Sequence, residues 1–219
     1  MSDLHSESID ENLARGEDGK TRCTFNIDNP AFRAYHDEEF GRPTADNRRI
    51  FEKICLEGFA AGLSLLTVLT RRGDYRAAFD GFDIDTVAGY DGNRIRSLMA
   101  NDAIVQNRAK IESVVNNAKR AREMRDEYGS LAAFVWGFEP DPSERPKRID
   151  LDHLKKNATS AQSERMAKVM KDRGWTFVGP TTLYALMQSI GVVNDHFDGC
   201  DFRRPCLDAR AAFDPPQRR

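Results

Sequence analysis

The stretch "IFEKICLEGFAAGLSLLTVLTRRGD", Ile50 to Asp74, decides the fold class. Its first half places Ile50, Phe51, Ile54 and Cys55 at i, i+1, i+4 and i+5, one face of a helix, with Thr44 or Asp46 upstream as N-cap. Gly58 is expected to interrupt that helix. Ala60, Leu63, Leu65, Leu66 and Leu69 then mark a second helix that Gly73 stops. The two helices are expected to meet at Glu57, a lone carboxylate in an apolar run. A glutamate there has two readings. It can cap the N–H groups of the following helix, worth on the order of 1 kcal/mol. Alternatively it faces a cavity, which costs several kcal/mol unless a ligand satisfies the carboxylate.

Working outward, "DIDTVAGYDGNRIRSLMAN" reads as helix with a break at Asp91-Gly92. "QNRAKIESVVNNAKRAREMRDEYG" carries an apolar stripe of Ile111, Val114, Val115 and Ala118. "SAQSERMAKVMKDRG" and "TTLYALMQSIG" are two further helices ended by glycine. "SLAAFVWGF" fits either helix or strand, and "EPDPSERPKRIDLDHLKKNATS", with three prolines, reads as a mostly irregular connection. Period-two alternation is scarce, so the fold is expected to be all-α. Residues 1–20 are acidic and polar and are expected to form a flexible tail, 21–205 a single domain of two packed helical lobes, and 206–219 a C-terminal tail.

The chain has 219 residues, 40% hydrophobic and 31% charged, enough for a sizeable core. Thirty-three basic against thirty-five acidic residues, a net charge of −2, exclude a polybasic nucleic-acid binder but permit a local basic face. No apolar run reaches the roughly 18 residues of a membrane span, and no signal peptide is evident, so a cytoplasmic location is expected. No long apolar face is left unassigned, which points to a monomer.

Four cysteines in such a chain are free thiols or metal ligands rather than disulfides. His196 and Cys200 stand near one end of the chain, and Cys23 and His36 near the other, a Cys₂His₂ donor set. Buried small thiols and hydrogen-bonded histidines explain the same residues equally well. Cys55, in an apolar stripe, and Cys206, in a polar tail, are excluded, and His5 and His153 have no ligand-like neighbours.

Several separated strings, "RC" at Arg22-Cys23, "YHDEEFG" from Tyr35, "IFEKICLEG", "AGLSLLTVLTRRGDYRAAF", "FVWGF", "RGWTFVGPTTLYALMQSIGVVNDH" and "HFDGC", together resemble the DNA-3-methyladenine glycosylase I family in order and spacing. The resemblance implies a helix-hairpin-helix DNA repair enzyme that flips an alkylated adenine from the duplex and hydrolyses its N-glycosidic bond, monofunctionally, without lyase activity. It also implies a structural Zn²⁺ held by Cys23, His36, His196 and Cys200, joining the N- and C-terminal segments. By the same resemblance, Glu57 is the pocket glutamate and Tyr35 the pocket tyrosine. The hairpin that meets DNA phosphates falls at "NDAIVQNRAKI", where Arg108 and Lys110 add positive charge.

Three pocket positions depart from the family in one direction: Phe25, Phe40 and Leu65 stand where the family carries tryptophan. Phenylalanine attracts a cationic base less well than an indole, and leucine has no π face. These departures leave two functional expectations: a glycosylase with a wider pocket that takes 3-methyladenine or a related adduct, and a zinc-stabilised damaged-DNA-binding protein with lost or altered excision. A folded homologue with no base pocket is a third.

Overall fold

The computed structural model describes residues 6–25 and 27–219. Three short strands come first: β1 (Ser6–Ser8), β2 (Leu13–Gly16) and β3 (Thr21–Cys23), an antiparallel sheet in that order. Helices follow: α1 (Pro30–Glu38), α2 (Asn47–Ala60), α3 (Leu65–Leu69), α4 (Arg72–Ala78), α5 (Ile84–Ala88), α6 (Gly92–Met99) and the long α7 (Arg108–Tyr128). After them come α8 (Leu131–Trp136), α9 (Leu151–Lys156), α10 (Ala161–Asp172), α11 (Pro180–Ser189) and α12 (Arg203–Ala211). The chain is thus mainly helical, as the apolar spacing predicts. The ambiguous "SLAAFVWGF" is the buried helix α8, and the proline-rich connection contains the short α9.

α2 is the axis of the molecule. The Asp46 side chain caps it by accepting from the Arg48 and Arg49 amides, and every residue from Ile50 to Phe59 is buried. Helices α3, α7, α8 and α11 pack around it. Gly58 does not interrupt it, contrary to expectation. A glycine inside a helix costs about 1 kcal/mol relative to alanine, and here the missing side chain lets the Phe177 backbone and Cβ sit close, since a Cβ on Gly58 would lie 3.4 Å from that of Phe177. The chain turns instead at Ala61 to Ser64, where Gly62 takes φ +74° and the Ser64 hydroxyl caps α3 through the Leu66 amide (3.2 Å).

Lys110 closes the end of α2. Its ammonium is buried and donates to the carbonyls of Phe59 (2.8 Å) and Ala61 (2.6 Å), acceptors the helix leaves without a partner. Lys110→Met should therefore lower stability by about 2 kcal/mol. Urea denaturation checks this; a phosphate-binding lysine would instead flatten the salt dependence of duplex binding while leaving stability unchanged.

The termini differ from the tails that composition predicts, although residues 1–5 lie outside the described residues. β2 pairs on both sides, Ala14 is buried, and Leu13 packs against an apolar cluster of Cys23, Ile149, Phe197, Cys200 and Phe202. Arg22 ties the ribbon down by pairing with Asp18 (2.6 Å) and Asp37 (2.7 Å). At the other end, α12 buries Cys206, Arg210 pairs with Glu139, and the Arg218 guanidinium donates to the Phe134 carbonyl (2.9 Å). Hydropathy averages miss such segments, because backbone pairing and arginine contacts hold them rather than long apolar runs.

Candidate functional site

Cys23 ends β3, His36 lies in the last turn of α1, and His196 and Cys200 sit in the loop between α11 and α12. All four are buried, and one donor atom from each lies within 4.8 Å of the others. His36 Nε2 faces His196 Nδ1 at 3.1 Å; Cys200 Sγ lies 3.7 and 3.6 Å from those nitrogens, and Cys23 Sγ lies 3.9 Å from His196 Nδ1. A tetrahedral ion with these donors sets nitrogens about 3.3 Å apart and nitrogen to sulfur about 3.6 Å. The outer nitrogens are engaged as well: His36 donates from Nδ1 to Asp37 (2.8 Å) and His196 from Nε2 to the Phe40 carbonyl (3.0 Å). In the neutral rings those bonds leave lone pairs on the two nitrogens that face each other, the tautomers that metal ligation requires. Hydrogen bonding from Cys23, with the histidines adding to it, holds the Cys200 thiol far below its ordinary range, whereas burial pushes the Cys23 thiol up. Cys206, a polar-tail residue by sequence, is buried with its Sγ against the Phe40 carbonyl (3.5 Å) and outside the donor set.

Next to these donors lies an aromatic cluster of Phe32, Tyr35, Phe40 and Leu69, with Phe25, Leu65 and Leu66 packed against it. Phe25 links the two regions, its ring edge-on to Phe32 (5.7 Å), Phe40 (6.0 Å), His36 (5.9 Å) and Phe197 (5.4 Å). α1 carries Tyr35 and His36 at adjacent positions, so a ligated His36 would also position the tyrosine. All four proposed pocket residues, Tyr35, Phe25, Phe40 and Leu65, are therefore brought together. Phe32, Leu66 and Leu69 belong to the same cluster and were not anticipated; the i, i+3 relation of Phe32 to Tyr35 on one helical face is the signal that identifies the first.

Glu57 occupies the last turn of α2, not the start of the next helix. There the helix dipole disfavours a carboxylate, so the capping reading fails. The residue is buried, and among the described residues no donor is hydrogen-bonded to it. Burial pushes its pKa up to about 7 against a partial pull from Lys53. Tyr35 is near enough that, after burial itself, the Glu57 charge is the main reason its phenol is raised well above the ordinary range. Lys53 was also missed by sequence. Its ammonium stands 4.4 Å from the Tyr35 ring centroid and 2.8 Å from Glu39, which Arg72 pairs in turn (2.6 Å).

The expected DNA-contacting pair is split. Arg108 is exposed at the start of α7, paired with Glu112 (2.9 Å), whereas Lys110 points inward to α2 and has no ammonium to offer a phosphate. The connection between α6 and α7 is held by buried Ile104 and by the Tyr75 hydroxyl, which accepts from the Val105 amide (3.3 Å), and the Asn107 side chain caps α7. No helix among the described residues is long and apolar enough to cross a membrane.

Residues 25–204 match the model of the methyladenine glycosylase family. A DNA-3-methyladenine glycosylase of Haemophilus influenzae is 39% identical over 187 residues, 85% of this chain and 97% of its own length. The crystal structure of a 3-methyladenine DNA glycosylase I is 40% identical and superposes with a TM-score of 0.75, over 82% of this chain and 98% of that one. A variant of another such enzyme, solved in complex with 3-methyladenine, is 27% identical with a TM-score of 0.76, over 83% and 97% of the two chains. With that coverage in both sequence and fold, the chain belongs to the methyladenine glycosylase family.

Proposed function

We propose that this protein is a DNA base-excision glycosylase that hydrolyses the N-glycosidic bond of an alkylated base, 3-methyladenine or a related adduct, flipped out of duplex DNA. The observation that carries this reading is Glu57: a buried carboxylate to which no described residue donates a hydrogen bond, near Tyr35 and an aromatic cluster, in a chain of this family. A protein tolerates such a group where a ligand completes it.

An alkyl group on N3 makes the purine cationic, so the bond from C1′ to the ring nitrogen breaks with its electrons passing to the base, which leaves neutral. Water then bonds to C1′ and releases a proton. Glu57 faces the positive charge and the donor edge of the flipped base, Tyr35 fixes the orientation of that edge, and the aromatic cluster surrounds the ring. Little leaving-group protonation is needed, so selectivity rests with the pocket. The hairpin between α6 and α7 is the helix-hairpin-helix element, with backbone amides at the start of α7 and Arg108 facing the phosphates. In this reading Cys23, His36, His196 and Cys200 hold a structural Zn²⁺. Its chemistry is to cross-link the N- and C-terminal segments, and it takes no part in bond cleavage.

Release of 3-methyladenine from methylated duplex DNA, measured by chromatography under single-turnover conditions, tests the function. Duplex binding without release would replace it with a damaged-DNA-binding role. Leu65, half-buried at the start of α3, supplies a second test. Leu65→Trp should add a π face against the base and improve kcat/KM for the cationic lesion over a neutral one by about 0.5–2 kcal/mol, up to about 30-fold. Equal effects on both lesions would place Leu65 outside the base contact.

A further inference from the structure

Lys53 and Glu57 stand one turn apart on α2, so their side chains share one side of the helix. Both are buried; the Lys53 ammonium stands 4.4 Å from the Tyr35 ring centroid, and Glu57 is near enough for its charge to raise the Tyr35 phenol. A lysine almost never sits inside a protein without a compensating charge. Glu39 supplies one, but Glu39 is half-buried and is itself paired with half-buried Arg72 and, at 3.8 Å, with exposed Arg49, whereas Lys53 and Glu57 are buried. Glu39 is thus shared among three cations, Arg49, Arg72 and Lys53. The Lys53 charge is therefore only partly offset by Glu39, and Glu57, one turn away, feels the remainder.

We propose that Lys53 is a positioning residue of the reaction: its buried ammonium is the counter-charge that holds Glu57 toward the carboxylate form, ready for a cationic base. Without it, the burial that prepares Glu57 for a ligand would also favour its protonation, and a neutral acid would lose its attraction for the alkylated purine. The other ionisable groups around Glu57 do not supply this charge. On α2 itself, Arg49 is exposed and paired with Glu39, Glu52 is paired with Arg76, and Cys55 is a neutral thiol. Tyr35 and Glu39 at the end of α1 are neutral and negative, Arg72 of α4 is engaged by Glu39, and Lys110 of α7 is engaged by the carbonyls at the end of α2. Tyr184 of α11 is a neutral phenol bonded to Asp195 (2.7 Å), and α3 and α8 contribute no ionisable side chain. The direction of the Glu57 titration, pushed up by burial and pulled back by Lys53, agrees with this geometry.

This inference rests on the glycosylase reading for its role in catalysis but not for its electrostatics, and the two are tested separately. In single-turnover assays on methylated duplex, the wild-type rate should fall as pH drops through about 7. Lys53→Met should move that acid limb up by about one pH unit, a roughly tenfold lower rate at pH 6 with near wild-type rate at pH 9, and Lys53→Arg, which keeps the charge, should leave the limb in place. A merely structural lysine would lower the rate equally at every pH, and that result overturns the proposal. Carbon-13 NMR titration of the Glu57 carboxyl in the same full-length proteins needs no activity. A higher midpoint in Lys53→Met supports the counter-charge, and an unchanged or lower one overturns it, even if the wild type releases no base and the glycosylase reading falls. Lys53→Gln, which keeps a polar head for Glu39, replaces Lys53→Met if circular dichroism shows the latter unfolded.

Discussion

Glu57→Gln is expected to slow release of 3-methyladenine by about 10- to 100-fold, the loss of one charge-assisted contact of about 1.5–3 kcal/mol, while making the protein more stable at pH 8. The two effects share one cause. Burial raises the Glu57 pKa from its ordinary 4.5 to about 7. Between those values the native state keeps a proton that the unfolded chain has lost, so stability falls as pH rises, by up to about 3 kcal/mol once the carboxylate is fully formed. Glutamine mimics the protonated form. The variant should match the wild type near pH 4.5 and exceed it at pH 8 by up to those few kcal/mol, a difference in which titrations common to both proteins cancel. Urea denaturation at the two pH values, beside the release assay, checks both halves. A variant less stable at pH 8 would mean that Glu57 is satisfied within the protein, and would remove the physical argument for a ligand.

Removing the proposed zinc, or one of its ligands, should have the largest structural effect. The four donors come from β3, α1 and the loop before α12, so the proposed ion would bridge segments more than 170 residues apart in sequence, as the contact of Cys23 with His196 shows. Elemental analysis should find about one zinc per chain. Cys23→Ser or strong chelation should cost about 4 kcal/mol, a fall in Tm of roughly 8–16 °C for a domain of this size. Because His36 adjoins Tyr35 and Phe40 carries both the His196 carbonyl contact and an aromatic face of the pocket, base release should weaken along with stability. A well-folded, metal-free sample with unchanged Tm and release would reject the ligand assignment.

Much of this site is legible in one dimension. The candidate pocket residues and candidate metal donors fall in strings whose order and spacing carry the family resemblance, and the structure gathers both sets. The misreadings have a common origin. Lys110 looks like a phosphate contact because sequence shows a charge near a helix start but not the direction of the side chain, and the neighbouring end of α2 offers it two carbonyls. Cys206 and residues 6–16 look like tail because local composition does not show what a segment will dock against. Lys53 draws no attention in sequence, because the local pattern does not show that α2 is covered on all sides from Ile50 to Phe59.

Apolar periodicity determined by itself that the chain is helical, since the side chains on one face of a helix recur at fixed spacing whatever they later touch. Residue identity likewise determined which donors could bind a metal and which carboxylate stood in an apolar setting. Only the tertiary structure decided that α2 runs unbroken through Gly58, because a cost of about 1 kcal/mol in helix propensity is overridden by burial of every residue from Ile50 to Phe59. It alone also decided the charge environment of Glu57. The segments that pack on α2 bury Glu57 and so raise its pKa, and Glu39 from beyond α1 holds the neighbouring Lys53 ammonium, arrangements in space that residue numbers do not contain.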